Sequence, residues 1–163
     1  MKASLRPFLK EDAALLAEIM CASIEELTQA DYDEDQRLAW ISVLEDGDAF
    51  VKRLTEQLTI LAIVEGEIVG FASLRGKDEL DLLYVHPDVV REGIGSMLVD
   101  ALEKLAGARG ASSMLTNASE TARPFFEKRG YVAQSRNTVM IGGEWLPNTA
   151  MRKELGGQKG TLQ

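Results

Sequence analysis

The residues best suited to chemistry in this chain lie between Glu79 and Gly95, in the stretch ELDLLYVHPDVVREGIG. Two carboxylates, Glu79 and Asp81, open it. An apolar run follows and stops at Pro87. A short polar loop then leads into Gly93-Ile94-Gly95-Ser96, where an amphipathic helix begins. Glycines there let backbone approach a ligand, and the free N–H groups of a helix N-terminus suit a phosphate. The chemistry indicated is the holding of a phosphorylated cofactor next to groups able to move a proton. Asp81 sits between Leu80 and Leu82, where a buried carboxylate is costly unless it is paired or has a role. Strand alternation puts Glu79 and Asp81 on one face, so either can serve as a base.

Other chemistries find less material. The stretch lacks the third glycine of the dinucleotide fingerprint and the Gly-Lys-Ser/Thr of a phosphate-binding loop. One His and one Cys among 163 residues cannot build a His/Cys zinc site, so no metal is expected. A serine triad would have to use His86, with no elbow motif beside it. The net charge of -8 argues against a nucleic-acid-coating surface. No basic-plus-apolar leader and no run of ~18 apolar residues is present, so no membrane contact is expected. With a single cysteine, a reducing cytoplasm is the simplest compartment.

The elements that must position these residues follow from periodicity. Residues 2–8 read as a strand. Apolar positions Ala14, Leu15, Ile19, Ala22, Ile24 and Leu27 recur at helical spacing, and Asp33 can cap a second helix to about Leu44. A helical turn is expected around residues 49–54. Residues 58–64 and 67–75 read as a hairpin, and Glu79–Val85 as its third strand. A helix spans about 94–106, a strand 112–116 and a helix 120–129, and two strands flank Gly142-Gly143. The order β-αα-βββ-α-β-α-ββ gives an α/β fold, a mixed sheet with helices on both faces. Residues 1–155 read as one domain, and residues 156–163 as a polar tail expected to fray.

Two motifs then give a family resemblance. LDLLYVHPDVVREGIGSMLVDAL resembles the cofactor motif of the GNAT superfamily of acetyl-CoA-dependent N-acetyltransferases, roughly Leu-x-Val-x-Pro and then Arg/Gln-x-x-Gly-x-Gly/Ala. NASETARPFFEKRGYV resembles its second signature, Asn-x-x-Ala-x-x-hydrophobic-Tyr-x-x-x-Gly-Phe. The likeness runs from about residue 58 to 153; the earlier residues are only compatible with the family's variable substrate-binding helices.

The resemblance implies a GNAT-like fold with acetyl-CoA as co-substrate. The strand would splay at a bulge, and its end, Leu83-Tyr84-Val85, would bind the pantetheine arm and polarise the thioester. Amides of Arg91, Glu92, Gly93, Ile94, Gly95 and Ser96 would carry the pyrophosphate. Asn117 would bond the pantetheine or backbone beside it, and Phe126 would lie next to the arm. Asp81 or Glu79 would act as base. Two departures stand out: Val90 replaces the usual Arg or Gln, and Phe126 replaces the tyrosine that protonates the departing thiolate. Tyr131, in the Phe position of the Gly-Phe pair, is expected to pack in the core.

The implied activity is direct acetyl transfer to a primary amine in a ternary complex. The acceptor stays open among a protein N-terminus, a lysine, a polyamine, an aminoglycoside and an amino acid. The acidic set Glu25, Glu26, Asp31, Asp33, Glu34 and Asp35, with Tyr32 and Trp40, offers one way to shape a pocket for a cationic amine. A non-catalytic acyl-CoA sensor and a repurposed interaction protein are the alternatives. A homodimer, which this fold often forms through its C-terminal strands, also stays open.

Overall fold

The computed structural model describes residues 2–156. The tail expectation for residues 157–163 lies outside them. Seven strands form one sheet in the order β1-β2-β3-β4-β5-β7-β6. They are β1 (Ala3–Pro7), β2 (Leu58–Val64), β3 (Glu67–Arg75), β4 (Glu79–Val85), β5 (Ser113–Ser119), β6 (Val132–Ile141) and β7 (Glu144–Glu154). The helices are α1 (Ala13–Leu27), α2 (Glu34–Ile41), α3 (Gly47–Glu56), α4 (Ile94–Ala108) and α5 (Arg123–Lys128). The third of these is a full helix where periodicity gave one turn. Asp46 starts it by accepting from the Ala49 amide. The capping of α2 is as its sequence indicates: Asp33 accepts from the Gln36 amide, and the Gln36 side chain returns to the Asp33 amide.

The sheet has a core on each face. Leu98, Val99, Leu102 and Ala106 of α4 pack on Ala62, Ala72, Leu80, Met114 and Met151. Leu16, Ile19, Met20 and Ile24 of α1 pack with Phe50 and Leu54 of α3 on Leu61, Phe71 and Leu82. Tyr131 packs edge-to-face on Phe126 and bonds the buried Glu103, so the expected core role is what the structure shows. Leu80 and Leu82 are two residues apart yet lie in opposite cores. A β-bulge explains it: Ser73 pairs with Leu82, but Leu74 pairs with Leu80, leaving Asp81 as the extra residue. The buried Ser73 hydroxyl accepts the Leu82 amide at 3.2 Å, so the bulge leaves that donor satisfied.

All strand pairs are antiparallel except β4 with β5, which share only Glu79↔Leu115 and Leu80↔Thr116. The Thr116 hydroxyl donates to the Leu80 carbonyl at 3.0 Å, and beyond that point the strands part. β6 is one continuous ten-residue strand, exposed along nearly its whole length. Among the described residues no helix is long and apolar enough to cross a membrane.

Candidate active site

The gap between β4 and β5 opens a cleft of about 820 Å³. One side is built by the end of β4, the loop before α4, and α5. Leu83, Tyr84, Val85, Arg91, Gly93, Gly95, Ser96, Asn117 and Phe126 all line the cleft. Two other expected residues do not. The Ile94 side chain is buried in the core, and Glu92 is exposed and outside the lining, so each has only its backbone to offer.

The loop geometry fits an anion. Arg91 has φ +66° and Gly93 φ +86°. For arginine that left-handed conformation costs about 1–2 kcal/mol, a strain of the kind concentrated at binding sites. Alternating conformations of this sort turn successive N–H groups to one side. No side chain caps the first turn of α4, so its amides stay free. A Cβ on Gly95 would lie 3.5 Å from the Phe125 ring, so the helix start and this aromatic wall stand close together. Phe126 is buried beneath, and Phe125 forms the more open wall.

The expected bases are placed differently. Glu79 lies at the start of β4, outside the cleft, with its carboxylate 3.1 Å from Arg75. Asp81 does line the cleft, but its carboxylate is already charge-paired, with three contacts on Oδ2 and one on Oδ1. Arg53 donates twice, at 2.8 and 3.0 Å, Gln57 once at 2.8 Å, and Arg75 stands 3.2 Å away. Burial pushes the Asp81 carboxyl up, but the bonds from Arg53 and Gln57 and the charges of Arg53 and Arg75 outweigh it and hold the group below its ordinary value.

The far side of the cleft is formed by α1, α2 and the β6–β7 hairpin. Sequence reasoning named Tyr32 and Trp40 here but gave no sign of Asn148. The Tyr32 hydroxyl donates to the Pro147 carbonyl at 2.6 Å and accepts from the Glu120 amide at 2.9 Å. Trp40 packs edge-on to Tyr32 and donates to the Tyr84 hydroxyl at 3.2 Å. Burial pushes Tyr84 up to about 12, so it keeps its proton. The six acidic residues expected around this pocket do not line it. Asp33 caps α2, and Asp31 accepts from Thr121. Their spacing is that of a solvated helix entry. His86 serves its own loop, accepting the Asp88 amide.

Sheet, bulge and anion-ready helix start define the acyl-CoA N-acyltransferase class of fold. A family model for an acetyltransferase (GNAT) domain matches residues 28–155, and the chain belongs to that family. The match reaches α2 and α3, which the sequence motifs did not cover. The uncharacterized N-acetyltransferase YafP of Escherichia coli is 29% identical over 148 residues, 91% of this chain and 93% of its own. A GCN5-related N-acetyltransferase structure from Rhodopseudomonas palustris superposes with TM-score 0.94 at 56% identity, over 95% of this chain and 97% of that one. The PaiA N-acetyltransferase of Thermoplasma acidophilum, solved with coenzyme A, shares the fold at TM-score 0.79 and 20% identity, over 94% of this chain and 99% of its own.

The charge-paired Asp81 carboxylate makes a stability prediction. Its folded-state pKa is depressed, so its contribution is fully present above the ordinary value of 3.8 and is lost as pH falls through the lower folded value. At pH 7, Asp81→Asn is expected to lose roughly 1–3 kcal/mol in urea denaturation, a range kept low because Arg53 is partly exposed. The deficit should vanish in strong acid. A variant as stable as the parent at pH 7 would remove Asp81 from this structural role.

Proposed function

We propose that the chain transfers the acetyl group of acetyl-CoA to a primary amine in a ternary complex. The observation that carries this reading is the cleft itself: a parted strand pair that leads to an uncapped helix N-terminus behind a strained loop. Backbone amides from Arg91 to Ser96 receive the pyrophosphate, which explains why Val90 is tolerated. The free edge of Leu83–Val85 takes the pantetheine amides and polarises the thioester carbonyl. Asn117, on the opposite lip, bonds the arm or the backbone beside it.

The amine nitrogen attacks the thioester carbon, forming the C–N bond as the C–S bond breaks. The electron pair leaves with sulfur, and the proton shed by nitrogen ends on that thiolate or on water. A thiol pKa near ~8.5 makes this departure feasible without a dedicated acid. Tyr84, protonated and at the end of β4, is a hydroxyl donor where Phe126 has none. We assign the base role to neither Glu79 nor Asp81; the latter positions α3 on the β4 bulge. Positioning of the two substrates supplies much of the rate. Phe126 and the charge-paired Asp81 also favour a second reading, an acyl-CoA sensor without turnover.

The C-terminal edge supports a homodimer through β6. Its residues Val132 and Met140 are 62% and 52% exposed on an unpaired strand edge, and an exposed apolar edge is a template for pairing with a second chain. A cytoplasmic setting belongs to the same proposal and rests on the single cysteine.

Calorimetry with acetyl-CoA and thiol release over an amine panel separate the readings. Binding with turnover supports transfer, binding alone supports the sensor, and no binding rejects both. Gly95→Trp is expected to abolish measurable acetyl-CoA binding while Gly95→Ala keeps it, because a single Cβ meets only ordinary contact distances. Equal affinity in the tryptophan variant would refute the phosphate assignment. In sedimentation, the protein should run as a dimer that Met140→Lys disperses; a monomeric parent would exclude the β6 interface.

A further inference from the structure

The acceptor side of the cleft restricts which amines it can take. This argument rests on the transferase reading above. The ionisable side chains lining the whole cleft are Tyr32, Arg53, Asp81, Tyr84 and Arg91. The charge of Asp81 is already met by Arg53 and Arg75, with Gln57 bonded beside them, so no lining carboxylate carries an uncompensated charge for an ammonium group. Just outside, Asp31 accepts from Thr121, and Glu120 is charge-paired with Arg136 through Oε1 alone. One Glu120 oxygen, Oε2, is buried without a partner, but Glu120 is not part of the lining. Met20, Leu27, Val43, Ile141 and Leu146 supply an apolar floor. Tyr32, Trp40 and Tyr84 form an aromatic wall held in place by their own hydrogen bonds.

A polycation entering here would leave its charges unpaired in an apolar pocket, at a large desolvation cost. The pocket also offers no base to strip a proton from a strongly basic amine. The amine must therefore arrive neutral. One polar atom is suited to that form. Asn148 lines the cleft with its carboxamide oxygen buried and without a hydrogen-bond partner. A neutral carboxamide accepts an N–H without requiring a cation, and an orphaned acceptor is costly to leave unmet.

We propose that the acceptor is a small, weakly basic monoamine on an aromatic or apolar body, its ring against Tyr32, Trp40 and Tyr84 and its nitrogen against Asn148. Weak basicity here means an α-amino or aryl amine rather than an alkylamine of the lysine or polyamine type. With ordinary pKa values of ~7.7 and ~10.4, about one α-amino group in six is neutral at pH 7, against roughly one lysine-type amine in 2,500. The neutral fractions thus differ on the order of 400-fold.

The test compares L-phenylalaninamide, 2-phenylethylamine and spermidine by release of the coenzyme A thiol, with acetyl-CoA binding measured on the same protein. The first two share a ring and differ in basicity. At pH 7, kcat/KM for phenylalaninamide should exceed that for phenylethylamine by on the order of 100-fold or more, with spermidine lower still. The gap should close to roughly a few-fold at pH 10, where the α-amine is almost wholly neutral and the alkylamine about one-quarter so. Asn148→Leu should raise KM for phenylalaninamide about tenfold, the loss of one hydrogen bond, and leave acetyl-CoA affinity unchanged. Spermidine as the best substrate, or equal efficiency for the two ring amines at pH 7, overturns this inference and leaves the transferase reading standing. An Asn148→Leu enzyme with unaltered KM overturns the placement of the nitrogen. Acetyl-CoA binding without turnover of any amine overturns both readings together.

Discussion

Two residue pairs hold β4 to β5, and the rest of the molecule is arranged around what happens after the second. A parallel pair that stops so early leaves two lengths of strand backbone facing the cleft without a strand partner on that side. Backbone N–H and C=O groups, once buried, are nearly always paired in native structures. A ligand with its own amides can complete the pairing, so the parted strands act as a sheet with one strand left out. The bulge at Asp81 makes the parting useful. By inserting one residue it reverses the alternation of β4, sending Leu83 and Val85 toward α4 and Tyr84 toward α1 and α3. One strand end thereby faces both halves of the cleft, which the proposed reading gives to cofactor on one side and acceptor on the other.

A bulge has a cost, and the charges around Asp81 answer it. Arg53 comes from α3, Gln57 follows that helix, and Arg75 ends β3. Together they pin three elements to the one residue that the sheet register leaves out. Burying a carboxylate is unfavourable unless it is paired and hydrogen-bonded, and two guanidinium groups and an amide supply that here. The same arrangement withdraws Asp81 from proton transfer. A group held this tightly would have to lose strong bonds before it could accept a proton, so geometry and acid–base reactivity compete at this position, and geometry prevails.

The sequence shows what is local and hides what is not. The strands 58–64, 67–75 and 79–85 could be read to the residue because hydrophobic runs and turn residues mark them within a short window. The α4 start was legible for the same reason, and so was the cap at Asp33. The bulge was not, since Leu80-Asp81-Leu82 reads as ordinary alternation, and only the register with Ser73 and Leu74 reveals the slip. Nor was the neutralisation of Asp81, because Arg53 lies 28 residues away and arrives through a helix that periodicity shortened to one turn. The Tyr32–Pro147 bond spans 115 residues, so the acceptor wall of Tyr32 beside Asn148 has no local signature. The continuous β6 escaped notice because Gln134 to Asn137 is polar, as an exposed edge permits and a buried strand does not.

The two sides of the cleft bind by different means, and this accounts for where the chain departs from its family. In the proposed reading, phosphate and pantetheine are met by backbone, whose donors do not change when side chains do. Val90 and Glu92 can therefore vary while the loop keeps its dihedrals, provided Gly93 stays free to hold its positive φ. The acceptor side has no such backbone frame. Its walls are side chains from α1, α2, β4 and β7, tied by single contacts such as Trp40 to Tyr84 and Gln36 to the Trp145 carbonyl. One substitution there changes shape, polarity or charge outright. Selection for a new amine can then act on Tyr32, Trp40 or Asn148 without disturbing the cofactor, and the constancy of one wall is what permits the variability of the other.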